Sequence, residues 1–368
     1  MSNSTLPAGR SRESQTALSE LDRVDLQELF RTRNLPAYRA RQVIEGLARQ
    51  SIHSVDELTV LPQSLRHTLA TEYRVRTIEA RTHLRSAKDG SEKVLFALRD
   101  GATVETVLIR SSGPERRERH TVCVSSQAGC PAACSFCATG LAGFTRNLSG
   151  PEIVDQVMYF AHQLRAEGKR VRNVVYMGMG EPFLNTGPVR DSIHRLTDPA
   201  GFGLGGRHIT VSTVGIVPQI RKFAEWAGQV NLAISLHAPT DELRSRLVPY
   251  NKHFPIAELM AAVREYLDHT RRRVSFEYVL LHGVNDAPAT AEELARLIRP
   301  LGGMAHVNVI PWNPFREGQF VRSEGPNADS FVEVLRTGGI NATIRYSKGL
   351  DISAACGQLR DQVATGPA

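Results

Sequence analysis

The sequence predicts an α/β protein: a partial, TIM-like (β/α)6 barrel preceded by a small N-terminal helical domain and an accessory β-hairpin region. Three observations predict it. From residue 120 onward, runs of strand-forming residues alternate with amphipathic runs of helical period, the sequence form of parallel strands joined by right-handed helical crossovers. Polar and glycine-rich motifs stand at the C-terminal ends of the strand runs, where barrels build their sites. A chain of 368 residues with 41% hydrophobic content can bury a barrel core and a smaller module besides.

Residues 1–20, rich in Ser, Thr and Arg, lack apolar periodicity and read as a disordered tail with no secretory signal. Residues 21–75 carry three helical patterns, at 25–35, 38–49 and 55–73, the last broken at Pro62. Arg31, Arg33, Arg39, Arg41 and Arg49 give this domain either a phosphate-binding face or an ordinary solvated one. In the region 76–115, the runs 93–99 and 102–110 flank Asp100-Gly101 and have hairpin chemistry. A charged linker at 114–120 leads into the barrel, residues 116–350. Strands are expected at 121–126, 173–179, 208–214, 231–237, 274–281 and 307–311, with a further run at 342–347. Helices are expected at 152–167, 188–196, 217–226, 256–269, 289–298 and 328–337. Six βα units are too few for a closed eight-stranded barrel. Residues 351–368 form a C-terminal segment.

A net charge of +7 favours a polyanionic partner such as nucleic acid, although excess charge also aids solubility. No run approaches membrane-spanning length, so a cytoplasmic protein with no membrane partner is expected. Five cysteines, odd in number and three of them clustered, do not make a disulfide framework and point to metal and redox chemistry.

Cys130, Cys134 and Cys137 fall in Gln127-Ala-Gly-Cys-Pro-Ala-Ala-Cys-Ser-Phe-Cys-Ala-Thr-Gly140. Three thiolates on one short loop suit three irons of a [4Fe-4S] cube and leave the fourth iron open. A closed zinc site wants four ligands, usually two C-x2-C pairs, and there is no second pair. Zinc and three unpaired thiols remain the competing readings. Tyr176-Met-Gly-Met-Gly-Glu-Pro182 follows the next strand; it fails as a dinucleotide fingerprint but suits an amino-acid ligand bound by backbone carbonyls and the Glu181 carboxylate. Ser212, Ser235 and His237 end the next two strands and point to the same mouth, His237 being either a ligand or a hydrogen-bonded histidine of the wall. Prolines flank Asn313, and Trp312 reads as packing. Cys123 and Cys356 are each either functional or small buried hydrophobes.

Taken together, Cys123-Val-Ser-Ser-Gln-Ala-Gly-Cys130, Cys137-Ala-Thr-Gly140, Val175-Tyr-Met-Gly-Met-Gly-Glu-Pro182, Ser235-Leu-His237, Trp312-Asn-Pro-Phe315 and Ala355-Cys-Gly-Gln-Leu359 resemble the radical S-adenosylmethionine superfamily. Within it they resemble the adenine-C2 RNA methyltransferases known as RlmN, over nearly the whole chain after residue 20. The resemblance implies a cluster on Cys130, Cys134 and Cys137 whose open iron chelates S-adenosylmethionine and cleaves it to a 5′-deoxyadenosyl radical. It implies S-adenosylmethionine contacts from Gly180, Glu181, Ser212, Ser235, Leu236, His237 and Asn313. Cys356 resembles the methyl carrier, charged by one S-adenosylmethionine and activated by a second. Cys123 resembles the thiol that resolves the protein–RNA adduct through a transient disulfide, and Glu105 the proton acceptor.

The implied substrates are an adenosine in the peptidyl-transferase loop of 23S rRNA and the adenosine 3′ of the anticodon in tRNA. A flavodoxin- or ferredoxin-type protein is the implied electron donor. Arg116, Arg117, Arg119, Arg271, Arg272 and Arg273 join the N-terminal arginines as candidate phosphate contacts, and the target base has to leave its stack. Two other readings stay open: methylation at C8 of the same rRNA base, and a non-catalytic Fe-S or zinc RNA-binding protein. Retention of Cys123 and Cys356 argues against the latter, because metal binding needs neither.

Overall fold

Leu26, Phe30, Val43, Leu47 and Leu69 face one another from three short helices, α1 (Arg23–Thr32), α2 (Tyr38–Ala48) and α3 (Gln63–Glu72), and give this small unit its own core. The structure is a computed structural model that describes residues 15–113 and 116–359. Asp22 caps α1 by accepting from the Asp25 N–H at 2.8 Å, and Pro62 stands at the start of α3, where the helical pattern breaks. The expected tail over 1–20 lies mostly outside the described residues, but its last part is ordered: Leu18 is fully buried and its N–H donates to Arg74 O at 2.8 Å. One apolar side chain with a place in the core suffices to move that boundary.

The rest of the chain builds one ten-stranded sheet. Its first strands are β1 (Glu79–Arg85), β2 (Glu92–Ala97), β3 (Thr103–Gly113) and β4 (Arg116–Cys123), all paired antiparallel. A short ribbon of β5 (Gln127–Gly129) and β6 (Phe144–Asn147) encloses α4 (Ala138–Ala142). Then α5 (Gly150–Ala166), β7 (Asn173–Tyr176), α6 (Thr186–Thr197), β8 (Ile209–Thr213), α7 (Val217–Trp226) and β9 (Asn231–Ser235) follow in alternation. They lead to α8 (Asp241–Leu247), α9 (Ile256–Thr270), β10 (Val274–Leu280), α10 (Pro288–Ile298), β11 (Ala305–Pro311), α11 (Gly325–Thr337) and β12 (Ala342–Ile344). The strand order is β1-β2-β3-β4-β7-β8-β9-β10-β11-β12, parallel from β4 onward and open between β1 and β12.

The hairpin expected around Asp100-Gly101 is the antiparallel pair β2–β3, and β1, β2 and β3 extend the barrel sheet itself. Of the charged run expected as a linker at 114–120, residues 114 and 115 lie outside the described residues, and 116–120 begin β4, which pairs with β3 as far out as Gly113↔Arg116. An antiparallel ribbon that projects past the sheet carries charge on its side chains without losing its backbone hydrogen bonds.

Strand register sorts the side chains. Lys93 pairs with Val107, Val107 with Cys123, Cys123 with Val175 and Val175 with Thr210. Ser212, two residues on, pairs with Ala233; Ser235 pairs with Glu277, and Glu277 with Asn308. Cross-strand partners and residues two apart share a face. Lys93, Glu105, Cys123, Ser212, Ser235, Glu277 and Asn308 therefore lie on one face. Val94, Val122, Val174, Val211, Ile234, Phe276 and Val307, all fully buried, form the other and pack in the helix-bearing core.

The helical domain is fixed to this frame at Asp155 of α5. The buried Asp155 carboxylate accepts from Arg76 (3.1 Å), from the N–H and hydroxyl of Thr77 (2.7 and 2.8 Å) and from Ser19 (2.7 Å). Arg76 in turn donates to Leu47 O and Ile52 O in the helical domain.

Candidate active site at the cysteine loop

The β5–β6 ribbon pinches the cysteine loop at its base, where the Cys130 N–H donates to Gly143 O at 2.7 Å. Farther along, a Cβ on Gly140 would stand 2.8 Å from both the N and the O of Cys134, so the α4 backbone can approach the loop only as glycine. Cys130, Cys134 and Cys137 line one cavity of about 1020 Å³ of empty space, part of it open to solvent. N–H groups of Ala132 and Gly180 point at Cys130, and those of Thr139 and Gly140 at Cys137. Burial opposes the thiolate form at all three; a bound cation reverses that preference.

This donor set fits three irons of a [4Fe-4S] cube and falls short of the four ligands of a closed zinc site. Among the described residues, no three His, Cys, Asp or Glu side chains are grouped to hold a single metal ion. A cube asks for less convergence, since each thiolate binds its own iron.

Gly180, at φ +101°, turns the chain so tightly against Gln127 that a Cβ would lie 2.6 Å from that side chain. Glu181 is buried, and both of its oxygens accept protein N–H groups: Oε1 from Phe183 (2.9 Å) and Oε2 from Val214 (2.7 Å). Burial still outweighs those bonds and pushes its carboxyl up to about 7. The carboxylate thus ties the glycine-rich loop to the end of β8 as well as facing the cavity. Ser212 and Ser235 bring their hydroxyls to 3.2 Å of each other on the cavity wall.

His237 has φ +62°, is buried, accepts the Val279 N–H on Nδ1 at 3.0 Å and meets the Phe136 ring edge-on with centroids 4.6 Å apart. Burial, then the Arg244 charge, holds it down to about 3, so it is a neutral, hydrogen-bonded wall residue. Leu236 differs from the rest: its side chain is in the barrel core and does not line the cavity. Asn313 is buried; its amide donates to Ser347 Oγ (2.8 Å) and Cys356 O (3.0 Å), and its Oδ1 accepts from Arg322 (3.0 Å). Trp312 is packing, as expected, with its indole N–H on Phe136 O at 2.9 Å.

Cys356 is exposed and lines the cavity; the protein packed around it, followed by Cys123, Cys137 and Glu277, pushes its thiol up to about 12. Cys123, at the end of β4, is buried behind the lining, and burial pushes its thiol to about 12 as well. The two thiols interact electrostatically although more than half the chain separates them. Both are free.

The segment that carries Cys356 returns from β12 to the first hairpin: Ser86 Oγ donates to Asp351 Oδ1 (2.7 Å), and the Gly349 N–H to Asp89 Oδ2 (2.8 Å). Glu105 is not a surface carboxylate. It is buried on β3 and ion-paired with Lys93 at 2.7 Å, outside the cavity lining.

Sequence reading passed over three residues of this region. Arg244 of α8 is buried and donates to Val214 O, Ser235 O, Leu236 O and Asn251 Oδ1, binding the ends of β8 and β9 together. Glu277 of β10 lines the cavity and accepts from Ser275 and Asn308. Lys93 is the third. For the last two the available signal was a charge inside an otherwise apolar strand.

The candidate phosphate contacts fare differently. Arg271, Arg272 and Arg273 immediately precede β10, and Arg116, Arg117 and Arg119 begin β4; all six lie at strand N-termini, opposite the mouth. Among the N-terminal arginines, Arg31 pairs with Glu28, Arg33 with Glu72, Arg39 with Val60 O and Arg49 with Pro199 O, while Arg41 is exposed.

A Radical SAM superfamily model matches residues 124–298. A protein of Chloroflexus aurantiacus described as a probable dual-specificity RNA methyltransferase RlmN is 48% identical, covering 94% of this chain and 93% of its own. A protein of the same description from Thermosynechococcus vestitus is 46% identical, covering 91% of this chain and 96% of its own. The crystal structure of a radical SAM methyltransferase from Sphaerobacter thermophilus matches with a TM-score of 0.88 at 47% identity, covering 94% of this chain and 100% of that one. On the strength of these matches, the chain belongs to the RlmN family of radical SAM RNA methyltransferases.

Proposed function

We propose that this protein methylates C2 of adenosine in the peptidyl-transferase loop of 23S rRNA and in tRNA, 3′ of the anticodon, with Cys356 as methyl carrier. The observation that carries the reading is that Cys356 lines the same cavity as Cys130, Cys134 and Cys137, with Cys123 at the end of β4, behind that lining and near enough to act on the Cys356 thiol. A protein that merely held a cluster would use neither of the two outer cysteines. Adenine C2 has no lone pair, so a polar methyl transfer has little to attack, and a radical route avoids the problem.

Cys130, Cys134 and Cys137 would hold the [4Fe-4S] cluster, which when bound supplies one-electron reduction of S-adenosylmethionine, the electron coming from a flavodoxin- or ferredoxin-type donor. Gly180, Glu181, Ser212, Ser235, His237 and Asn313, all on the cavity wall, orient S-adenosylmethionine, two molecules of which serve each turnover. Cys356 presents its sulfur to the cavity, takes a methyl group there, gives up one hydrogen atom of that methyl to the 5′-deoxyadenosyl radical and adds the methylene carbon to C2 of a flipped-out base. Glu105 accepts the C2 proton, and the adduct's unpaired electron would return to the bound cluster. Cys123 then attacks Cys356 Sγ: an S–S bond forms as the S–CH2 bond breaks, its electron pair goes to the methylene carbon, and a proton completes the methyl group. Reduction by an external thiol reopens the disulfide.

Among the described residues, no helix is long and apolar enough to cross a membrane. We place the reaction in the cytoplasm with its RNA substrates. The test is anaerobic reconstitution with iron, sulfide, reductant and labelled S-adenosylmethionine, then nucleoside mass spectrometry of unmodified rRNA and tRNA. Labelled 2-methyladenosine is expected in both. With the cluster intact, absence of methyladenosine overturns the proposal, and 8-methyladenosine assigns the other carbon.

A further inference from the structure

Strand β2 is buried from end to end, yet it carries Lys93 on the face that bears the candidate site. Burying an ammonium group is costly unless it is paired and hydrogen-bonded. Lys93 meets both conditions in a particular way: Nζ reaches Glu105 Oε1 at 2.7 Å and donates to Ser353 O at 3.1 Å. Glu105 is the diagonal neighbour of Lys93, two residues from its register partner Val107, a span that a long side chain bridges. Ser353 lies three residues before Cys356 and has φ +51°, a left-handed conformation that a non-glycine residue keeps only when its surroundings impose it. The Glu105 backbone is held separately, its N–H on Met179 Sδ and its carbonyl accepting from Ser125 Oγ. One side chain therefore joins the carboxylate on β3 to the segment that carries Cys356, and Val107, the register partner of Lys93, is paired in turn with Cys123.

We propose that Lys93 is a positioning residue for the release half of the reaction, keeping the Glu105 carboxylate and the Cys356 segment in one fixed relation. The inference rests on the roles given above to Glu105 and Cys356. In the step concerned, the proton at C2 passes to a Glu105 oxygen, the C–H electron pair stays with the purine ring, and the adduct's one unpaired electron leaves to a one-electron acceptor, for which the oxidised iron–sulfur cluster would serve. A carboxylate displaced from the position that Lys93 helps to fix would meet that proton less often. Methylation of Cys356 precedes this step and does not call on Glu105, and the Ser86–Asp351, Asp89–Gly349 and Ala138–Gly357 bonds still hold the Cys356 segment when Lys93 is replaced, so the release half of the reaction depends on Lys93 more than the methylation half does.

The experiment uses the reconstituted full-length enzyme with unmodified RNA and follows three species: the methylated Cys356 peptide by mass, the covalent protein–RNA adduct by denaturing gel, and released methyladenosine. Lys93→Met is expected to methylate Cys356 within about two-fold of wild type and to release product on the order of 10²-fold more slowly, with adduct accumulating and the KM for RNA unchanged. Lys93→Arg keeps the charge and two donors and is expected to recover release to within about ten-fold of wild type. Lys93→Met combined with Glu105→Gln should be no slower than Glu105→Gln alone, since residues acting as a unit are not additive. Release at the wild-type rate in Lys93→Met, or additive losses in the double variant, overturns the inference while leaving the proposed function intact. If Lys93→Met does not fold, Lys93→Arg decides: lost Cys356 methylation in a folded Lys93→Arg protein overturns the inference. Failure of the wild-type enzyme to methylate Cys356 overturns the function and this inference with it.

Discussion

The backbone N–H of Ala138 donates to the carbonyl of Gly357 across 2.8 Å, so the residue after Cys137 is bonded to the residue after Cys356. Thr139 adds a hydrogen bond to Leu359 O, and Gln358 reaches Pro314 O at 2.6 Å. The cysteine loop and the Cys356 loop are therefore a single hydrogen-bonded body. A disturbance of one reaches the other without touching substrate.

Gly140→Ala tests that body from the cluster side. The new Cβ would press on backbone atoms of Cys134, which cannot rotate away as a flexible side chain can. Strain of about 1–3 kcal/mol is expected, enough to lower cluster occupancy by on the order of ten-fold. Iron and sulfide content after anaerobic reconstitution, with circular dichroism to confirm folding, measures it. Full loading of the variant would show that the loop can yield.

The two outer cysteines should fail in different ways. Cys123→Ala is expected to stall with RNA covalently attached to Cys356, whereas Cys356→Ala should form neither adduct nor product. Denaturing gels with labelled RNA separate the outcomes, and turnover should fall by on the order of 10³-fold in both. Wild-type turnover in either variant would remove the two-cysteine mechanism.

Asp155→Ala addresses the joint between the helical domain and the sheet. Four donors converge on that carboxylate, and its loss leaves the Arg76 guanidinium buried without its counter-ion. A loss of about 3–5 kcal/mol is expected in denaturant unfolding. An unchanged midpoint would mean that water reaches Arg76.

His53 gives the same joint a pH dependence. Its ring lies tilted against those of His162 and Tyr159, with centroids 4.3 and 5.3 Å away, and Arg76, Glu57 and Asp155 also act on it. Burial, then His162 and Arg76, holds its pKa down to about 4. The folded value is below the unfolded one, so this contribution is complete above about pH 6.5 and is lost as pH falls toward the folded value. The urea midpoint of the wild type should drop between pH 7.5 and 5.5, and His53→Gln should flatten that slope. Equal slopes in the two proteins would assign the pH dependence elsewhere.

The alternation of strands and helices was legible because parallel strands buried on both faces and amphipathic crossovers leave strong periodic signals. β1 was not, because most of Glu79–Arg85 is exposed or half-exposed on an edge, where polar side chains erase the alternation. The cysteines, the glycine-rich loop and Asn313 could be read as motifs. Arg244 could not, since one of two arginines in Asp241–Leu247 looks like part of any solvated helix face until the carbonyls it serves are in place. For Arg271–Arg273 the sequence gives charge but not the end of the barrel on which it falls, the end opposite the cysteine loop. Glu277 and Lys93 were visible as charges in apolar strands, but only register shows that they share a face with Cys123.

The return of residues 349–353 to the first hairpin has a consequence for how the protein is made. Ser86 and Asp351 are 265 positions apart, so the pairing closes one of the longest loops the chain contains. On the ribosome, the sheet from β1 to β11 can form while the nascent chain still lacks Cys356. Cys123 is thus in place on β4 well before Cys356, which reaches the cavity only when residues 349–353 close on the first hairpin.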